Sequence, residues 1–216
     1  MAKEKAIITI LKLLQKHQTG ISMLGKVSKS GNPFKVLIST ILSARAKDTV
    51  SYPISNAVFK KYPDAKSLAK AKQKNVEKII KSIGFYRNKA KNIIGSARIV
   101  HKKYNDKVPR IKSELLELPG VGSKVAGCVL VYAFGISAIP VDTHVHRLSN
   151  RLGWVKTKTP EQTERALEQL VPRKYWIDVN ELLVTHGQTI CAPITPRCSI
   201  CPVRKYCKRV GVKKSR

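Results

Sequence analysis

Residues 118–147 read LPGVGSKVAGCVLVYAFGISAIPVDTHVHR, and between Leu118 and Val141 they carry one full charge, Lys124, with Asp142 the next. A short helical pattern, SELLELPG, leads into the stretch and another, SKVAGCVLVYAFG, leads out of its first turn. Pro119-Gly120-Val121-Gly122 is therefore a tight link between two helices. Two glycines two apart let the backbone bend sharply and leave amide N–H groups unobstructed at a helix start, where the dipole helps them hold a phosphate. The same Gly-x-Gly serves equally as a plain turn. Lys124 falls in the first turn of the second helix, where the dipole disfavours a cation. Dipole and apolar surroundings together are expected to favour the neutral, nucleophilic amine, against the alternative of a surface lysine that snorkels to water. Asp142 precedes THVHRLSNRLG, a helical pattern closed by Gly153, so it is an N-cap candidate. A capped carboxylate is fixed and ionised, which also suits a group beside a developing cation.

The rest of the chain agrees with an all-α protein. Ile7, Ile10, Leu11 and Leu14 recur at helix spacing, as do Phe34, Leu37, Ile38, Ile41 and Leu42. Breaks are expected at Gly20, Ser30 to Pro33, Tyr62 to Asp64, Gly84, Pro109, Pro119-Gly120, Gly135 to Pro140 and Thr159-Pro160. No repeat of 20 to 50 residues is present, so a solenoid is not expected.

Charge points to the partner. The 216 residues hold 42 Lys+Arg against 13 Asp+Glu, a formal net charge of +29, which predicts attraction to a polyanion, nucleic acid first. Residues 60–103 hold 14 Lys+Arg with only Asp64 and Glu77, and the last 14 residues hold seven and no acid, so two basic faces are implied. A thermophile's lysine-rich surface is the alternative, but such proteins usually balance Lys with Glu. A membrane-surface protein would need an amphipathic helix with a bulky aromatic face, and none is evident. The N-terminus, MAKEKAIITILKLL, lacks a signal peptide's pattern, and the uncharged run Val125–Val141 is shorter than the roughly 20 residues of a spanning helix. An intracellular protein of the cytoplasm or nucleoid, not secreted and with no membrane partner, is expected. Its Cys191, Cys198, Cys201 and Cys207 lie within 17 residues, which in such a chain suggests a metal site instead of disulfides. Thiolates so spaced fit a tetrahedral zinc as readily as an iron–sulfur cluster. Cys128 falls inside an apolar helix and is expected to be a small buried hydrophobe.

These residues resemble the helix-hairpin-helix DNA glycosylases, and within them the endonuclease III family. The resemblance rests on LPGVGSK with Lys124 at its end, on Val141-Asp142-Thr143-His144 with Asp142 18 residues after the lysine, on NPFKVLISTILSARAKD (32–48) and IGFYRNKAKNI (83–93), and on the run Cys191-x6-Cys198-x2-Cys201-x5-Cys207. It implies two helical domains flanking a DNA-binding cleft. One, residues 24–135, is a helical barrel carrying the hairpin; the other joins 1–23 to 136–216 and carries a [4Fe–4S] cluster loop at 191–207. It further implies Lys124 and Asp142 as catalytic residues, the four cysteines as cluster ligands, and DNA contacts from Gly120, Val121, Gly122, Arg45, Ile83, Phe85, His144 and Arg197. Ile83 and Phe85 match the family's apolar wedge. Where the family pattern has LSAQAxD this chain has Arg45, and Phe85 stands where leucine is common, so contacts to the orphan base depart from the pattern. The implied activity is that of a bifunctional glycosylase and AP lyase acting, as a monomer, on oxidised pyrimidines or abasic sites in double-stranded DNA. A monofunctional mismatch glycosylase, which commonly replaces the lysine, and a non-catalytic DNA-binding module with structural zinc are the alternatives.

Overall fold

The computed structural model describes residues 2–18 and 20–216; Met1 and Thr19, both inside the expected 1–23 segment, lie outside the described residues. In chain order the helices are α1 (Ala2–Lys16), α2 (Met23–Ser28), α3 (Pro33–Ser43), α4 (Asp48–Lys61), α5 (Ala65–Ala69), α6 (Gln73–Ile80), α7 (Tyr86–Lys103), α8 (Lys112–Leu116), α9 (Ser123–Phe134), α10 (Thr143–Arg151), α11 (Pro160–Leu170) and α12 (Trp176–Thr189), with short 3-10 turns at 173–175, 198–200 and 204–206. No strand occurs among the described residues, and no helix there is long and apolar enough to cross a membrane. The chain divides into two compact units, Met23–Ile136 and the combination of Met1–Ser22 with Ser137–Arg216.

In the unit Met23–Ile136, α3 is the central element. Asn32 caps it by accepting the Lys35 N–H at 3.1 Å, and Pro33 at the first helical position has its φ already set for the helix. Phe34, Leu37, Ile38, Ile41 and Leu42 are all buried, as their spacing predicts, and α3 packs on α2, α4, α7 and α9. Burying each such side chain contributes roughly 1.5–3 kcal/mol before chain entropy is subtracted. Helix α7 collects α5 and α6 on the same core, and α8 lies against α9. Cys128 is fully buried on α9 beside Met23, Val27 and Val36, the small hydrophobe that its apolar helix suggested.

In the other unit, Ile7, Ile10, Leu11 and Leu14 turn one face of α1 onto α12, and α10 packs between α11 and α12. Val145, Leu148, Trp154, Leu167, Val179 and Leu183 fill the space among them. Asn180, itself buried, donates from α12 to the Pro140 carbonyl at 2.7 Å and fixes the segment that leads into α10.

Candidate active site

The hairpin between α8 and α9 is held from below by α7. Ser96 donates to the Pro119 carbonyl at 2.7 Å, and Leu118 and Val121 are buried beside it. Gly120 has φ +81°, and a Cβ there would stand 2.8 Å from the Asn92 amide nitrogen, so both backbone and space demand glycine. Gly122 is different. It is the N-cap of α9 with φ −101°, no side chain caps that helix end, and nothing lies within 4 Å of where its Cβ would be. An open, uncapped start of a 12-residue helix is a place where backbone amides can approach an anion. Val121 shapes the turn instead of offering a donor, since its side chain is buried and its N–H donates to the Leu118 carbonyl at 3.0 Å. Lys124 follows in the first turn of α9, half-buried.

Asp142 belongs to the other unit and caps α10: its Oδ1 accepts the N–H groups of His144 and Val145, each at 2.8 Å. The second oxygen takes no part in the cap. Val141 before it is buried, so the carboxylate is fixed from both sides. His144 is held in turn, with Arg147 Nη2 3.2 Å from its Nδ1, and it sits so close to α12 that a Cβ at Gly187 would be 2.7 Å from the same nitrogen. Arg147 also donates to the carbonyls of Gly187 and Cys191, and burial pulls its guanidinium below the ordinary value.

Arg45 and Phe85 meet. The Arg45 guanidinium lies 6.0 Å from the Phe85 ring centroid, and both residues are exposed, Phe85 by 68%. Both also have left-handed backbones, φ 55° and 60°. Ser43-Ala44-Arg45-Ala46 is a type II turn, Ala44 at φ −54° and ψ 121° with Ala46 N–H on the Ser43 carbonyl at 2.9 Å, and the arginine occupies the position that favours glycine. A bulky residue in this region costs on the order of 1–2 kcal/mol, and such strain is typical of functional sites. Ile83 does not join them. At 2% exposure it is a core residue, so of the two residues expected as a wedge only Phe85 is presented to solvent.

The four cysteines of 191–207 line one pocket, together with Arg151, His186, Arg197 and Arg204, and none is in a disulfide. Arg197 is exposed at its edge. Arg151, buried on α10, donates to Cys191 Sγ at 3.3 Å and to the carbonyls of Ala192 and Pro193 at 2.8 and 2.9 Å; the Arg209 N–H reaches Cys207 Sγ at 3.3 Å. Burial pushes the Cys201 thiol up to about 11 and raises that of Cys207, so thiolates here need cationic neighbours or a metal group to form. Among the described residues no three His, Cys, Asp or Glu side chains converge as a single metal ion requires.

A model of the HhH-GPD superfamily base excision DNA repair proteins matches residues 38–173, a segment that contains the hairpin, Lys124 and Asp142. The chain belongs to that superfamily. Within it, this HhH-GPD protein is 47% identical over 180 residues to endonuclease III of Thermotoga maritima, covering 83% of this chain and 84% of the relative, which places it in the endonuclease III family. Its fold is similar to a structure described as a trapped endonuclease III–DNA covalent intermediate, an estranged-adenine complex, with TM-score 0.84, 32% identity, and coverage of 95% of this chain and 96% of that one. It is also similar to a thermostable thymine-DNA glycosylase, with TM-score 0.81, 29% identity and 96% coverage of both chains.

Sequence reasoning found the hairpin, the cap and the cysteine run but missed Lys89, counted there among the surface cations. Lys89 is buried on α7, donates to the Leu42 carbonyl at 2.8 Å, and has its amine pushed down to about 8 by burial. A signal was present: Lys89 shares the helical face of Ala90, Ile93, Ala97 and Val100, all fully buried.

Proposed function

We propose that this member of the endonuclease III family, a base excision repair DNA glycosylase and AP lyase, removes oxidised pyrimidines from duplex DNA through a Schiff base on Lys124. The observation that carries the reading is Lys124 itself, placed by the Gly120–Gly122 hairpin at the open start of α9 in a chain similar over most of its length to endonuclease III trapped covalently on DNA.

The DNA is bent over the protein with the damaged nucleotide flipped out, Phe85 and Arg45 filling the gap it leaves. The hairpin amides of Gly120 and Gly122 hold a backbone phosphate, Val121 shapes the turn between them, and His144 and Arg197 contribute further contacts. The unprotonated Lys124 amine attacks C1′ and forms the N–C1′ bond. The glycosidic C–N bond breaks, and the base departs with the electron pair and takes up a proton. Asp142, pinned by its cap, stabilises the positive charge on the sugar and relays protons. Ring opening gives an imine, which acidifies the C2′ proton; its loss expels the 3′ phosphate by β-elimination and cuts the strand. Residues 24–135 contribute the hairpin and Lys124, 1–23 with 136–216 contribute Asp142, and a monomer suffices.

Cys191, Cys198, Cys201 and Cys207 would hold a [4Fe–4S] cluster, which when bound supplies a rigid anchor for the basic loop around Arg197, Arg204 and Arg209. The gathering of the four cysteines in one pocket and their arginine neighbours support this. A protein working in this way belongs inside the cell, where DNA and reduced thiols occur together.

The similarity to a thymine-DNA glycosylase favours one second reading, a monofunctional mismatch enzyme. Borohydride separates the two. Reduction during reaction with abasic DNA is expected to leave a covalent protein–DNA adduct in the wild type and none in Lys124→Ala; trapping that survives the substitution would refute the assignment. The purified protein is expected to be brown with broad visible absorption, and a colourless zinc protein would overturn the cluster.

A further inference from the structure

Phe85 and Arg45 stand on separate elements, the start of α7 and the turn after α3, and each holds a backbone conformation that its side chain disfavours. Something must keep the two together. We propose that Lys89 is a positioning residue for lesion recognition: its buried amine ties the last turn of α3 to the first turn of α7 and so sets the Arg45–Phe85 pair in the shape that fills the gap in DNA. The proposal rests on the reading of those two residues as gap fillers.

The geometry is direct. Lys89 lies four residues after Phe85, and its own N–H bonds the Phe85 carbonyl at 3.0 Å. Its Nζ crosses to the Leu42 carbonyl at 2.8 Å, three residues before Arg45. Neighbouring carbonyls of the α3 end are satisfied locally, that of Thr40 by Ser43 Oγ at 3.0 Å and that of Ser43 by the Ala46 N–H at 2.9 Å. Leu42 is bonded instead by a side chain 47 residues away. Burying an amine against a neutral carbonyl is unfavourable, and a Leu or Met on this face of α7 would avoid that cost. The amine is therefore best explained by what its bond positions, and burial that pulls it down to about 8 agrees with a low-dielectric site.

The test compares affinity for a duplex carrying a tetrahydrofuran abasic analogue with affinity for the same duplex undamaged, by fluorescence anisotropy. Lys89→Met is expected to lower the wild-type preference by about tenfold, the scale of one well-placed hydrogen bond to a charged group. Phe85→Gly lowers it as well, and Lys89→Met added to Phe85→Gly lowers it no further, because both act through one pair. Lys89→Gln, which keeps a donor, restores part of the preference. A folded Lys89→Met that keeps the wild-type preference, or additive losses in the double variant, overturns the proposal. If neither Lys89→Met nor Lys89→Leu folds, Lys89 is a general stabilising residue and the proposal also falls. Borohydride trapping of the wild type on abasic DNA checks the underlying function separately, since it does not depend on the outcome at Lys89.

Discussion

Arg151 donates to the sulfur of Cys191 at 3.3 Å while its other guanidinium contacts hold the two carbonyls that follow it in the chain. One side chain of α10 thus fixes the first cysteine of the loop and the turn after it, and α10 is the helix that Asp142 caps. Removing this fork leaves three acceptors without their donor. Arg151→Met is expected to lower stability by roughly 2–3 kcal/mol, and Arg151→Lys to recover only part of it because a point charge cannot reproduce the fork. Thermal denaturation, followed together with visible absorption, checks both; equal melting of wild type and Arg151→Met would show that the loop holds itself.

The cap made by Asp142 and the catalytic role proposed for it can be separated by substitution. Asn keeps an oxygen for the His144 and Val145 amides, so Asp142→Asn should melt close to the wild type, whereas Asp142→Ala loses the cap at about 1 kcal/mol. Base excision should fall by about 10²-fold or more in both. Single-turnover excision beside melting curves decides, and near-normal excision by Asp142→Asn would reduce the residue to a cap.

The two hairpin glycines should respond in opposite ways. Gly120→Ala forces a side chain into a positive φ and against Asn92, at roughly 1–3 kcal/mol of stability. Gly122→Ala meets open space at a negative φ and should fold normally, yet its methyl group stands where a phosphate would approach. Weaker binding of undamaged duplex by Gly122→Ala, with an unchanged melting temperature, is the expected pattern.

Lys89 gives a signed pH dependence. Its amine titrates near 8 in the folded protein against an ordinary 10.5, so between these values the unfolded chain binds the extra proton and stability rises with pH. The wild type should therefore gain on Lys89→Met by at most about 2 kcal/mol between pH 7.5 and 9.5. Urea titrations of both proteins across that range measure it, and parallel curves would mean that the amine is not desolvated.

Phe85→Gly offers a dissociation of stability from recognition. The ring is exposed and its backbone is left-handed, so glycine removes strain and little packing. The melting temperature should hold or rise while preference for abasic duplex drops. A large loss of stability instead would make Phe85 a structural residue.

Much of this was legible in the residues alone. Ile7, Ile10, Leu11 and Leu14 announced a helix face because a period near 3.6 leaves few other ways to bury them, and Asp142 announced its cap because a short acceptor before an apolar run satisfies amides that the helix cannot. Gly120, Gly122 and the four cysteines were visible for the same reason: the chemistry is local in the chain. What the chain order could not say was which side chains lie beneath the surface of an otherwise cationic face, or which exposed ones touch. Ile83 and Phe85 are two residues apart and look alike, yet one is core and the other is presented to solvent. Lys89 looks like its neighbours Arg87 and Lys91, yet it reaches Leu42 across 47 residues. Local pattern fixes a helix and its ends; only packing between elements distant in sequence decides which charge is desolvated and which strained pair is held in place, because those energies depend on neighbours that adjacency does not specify.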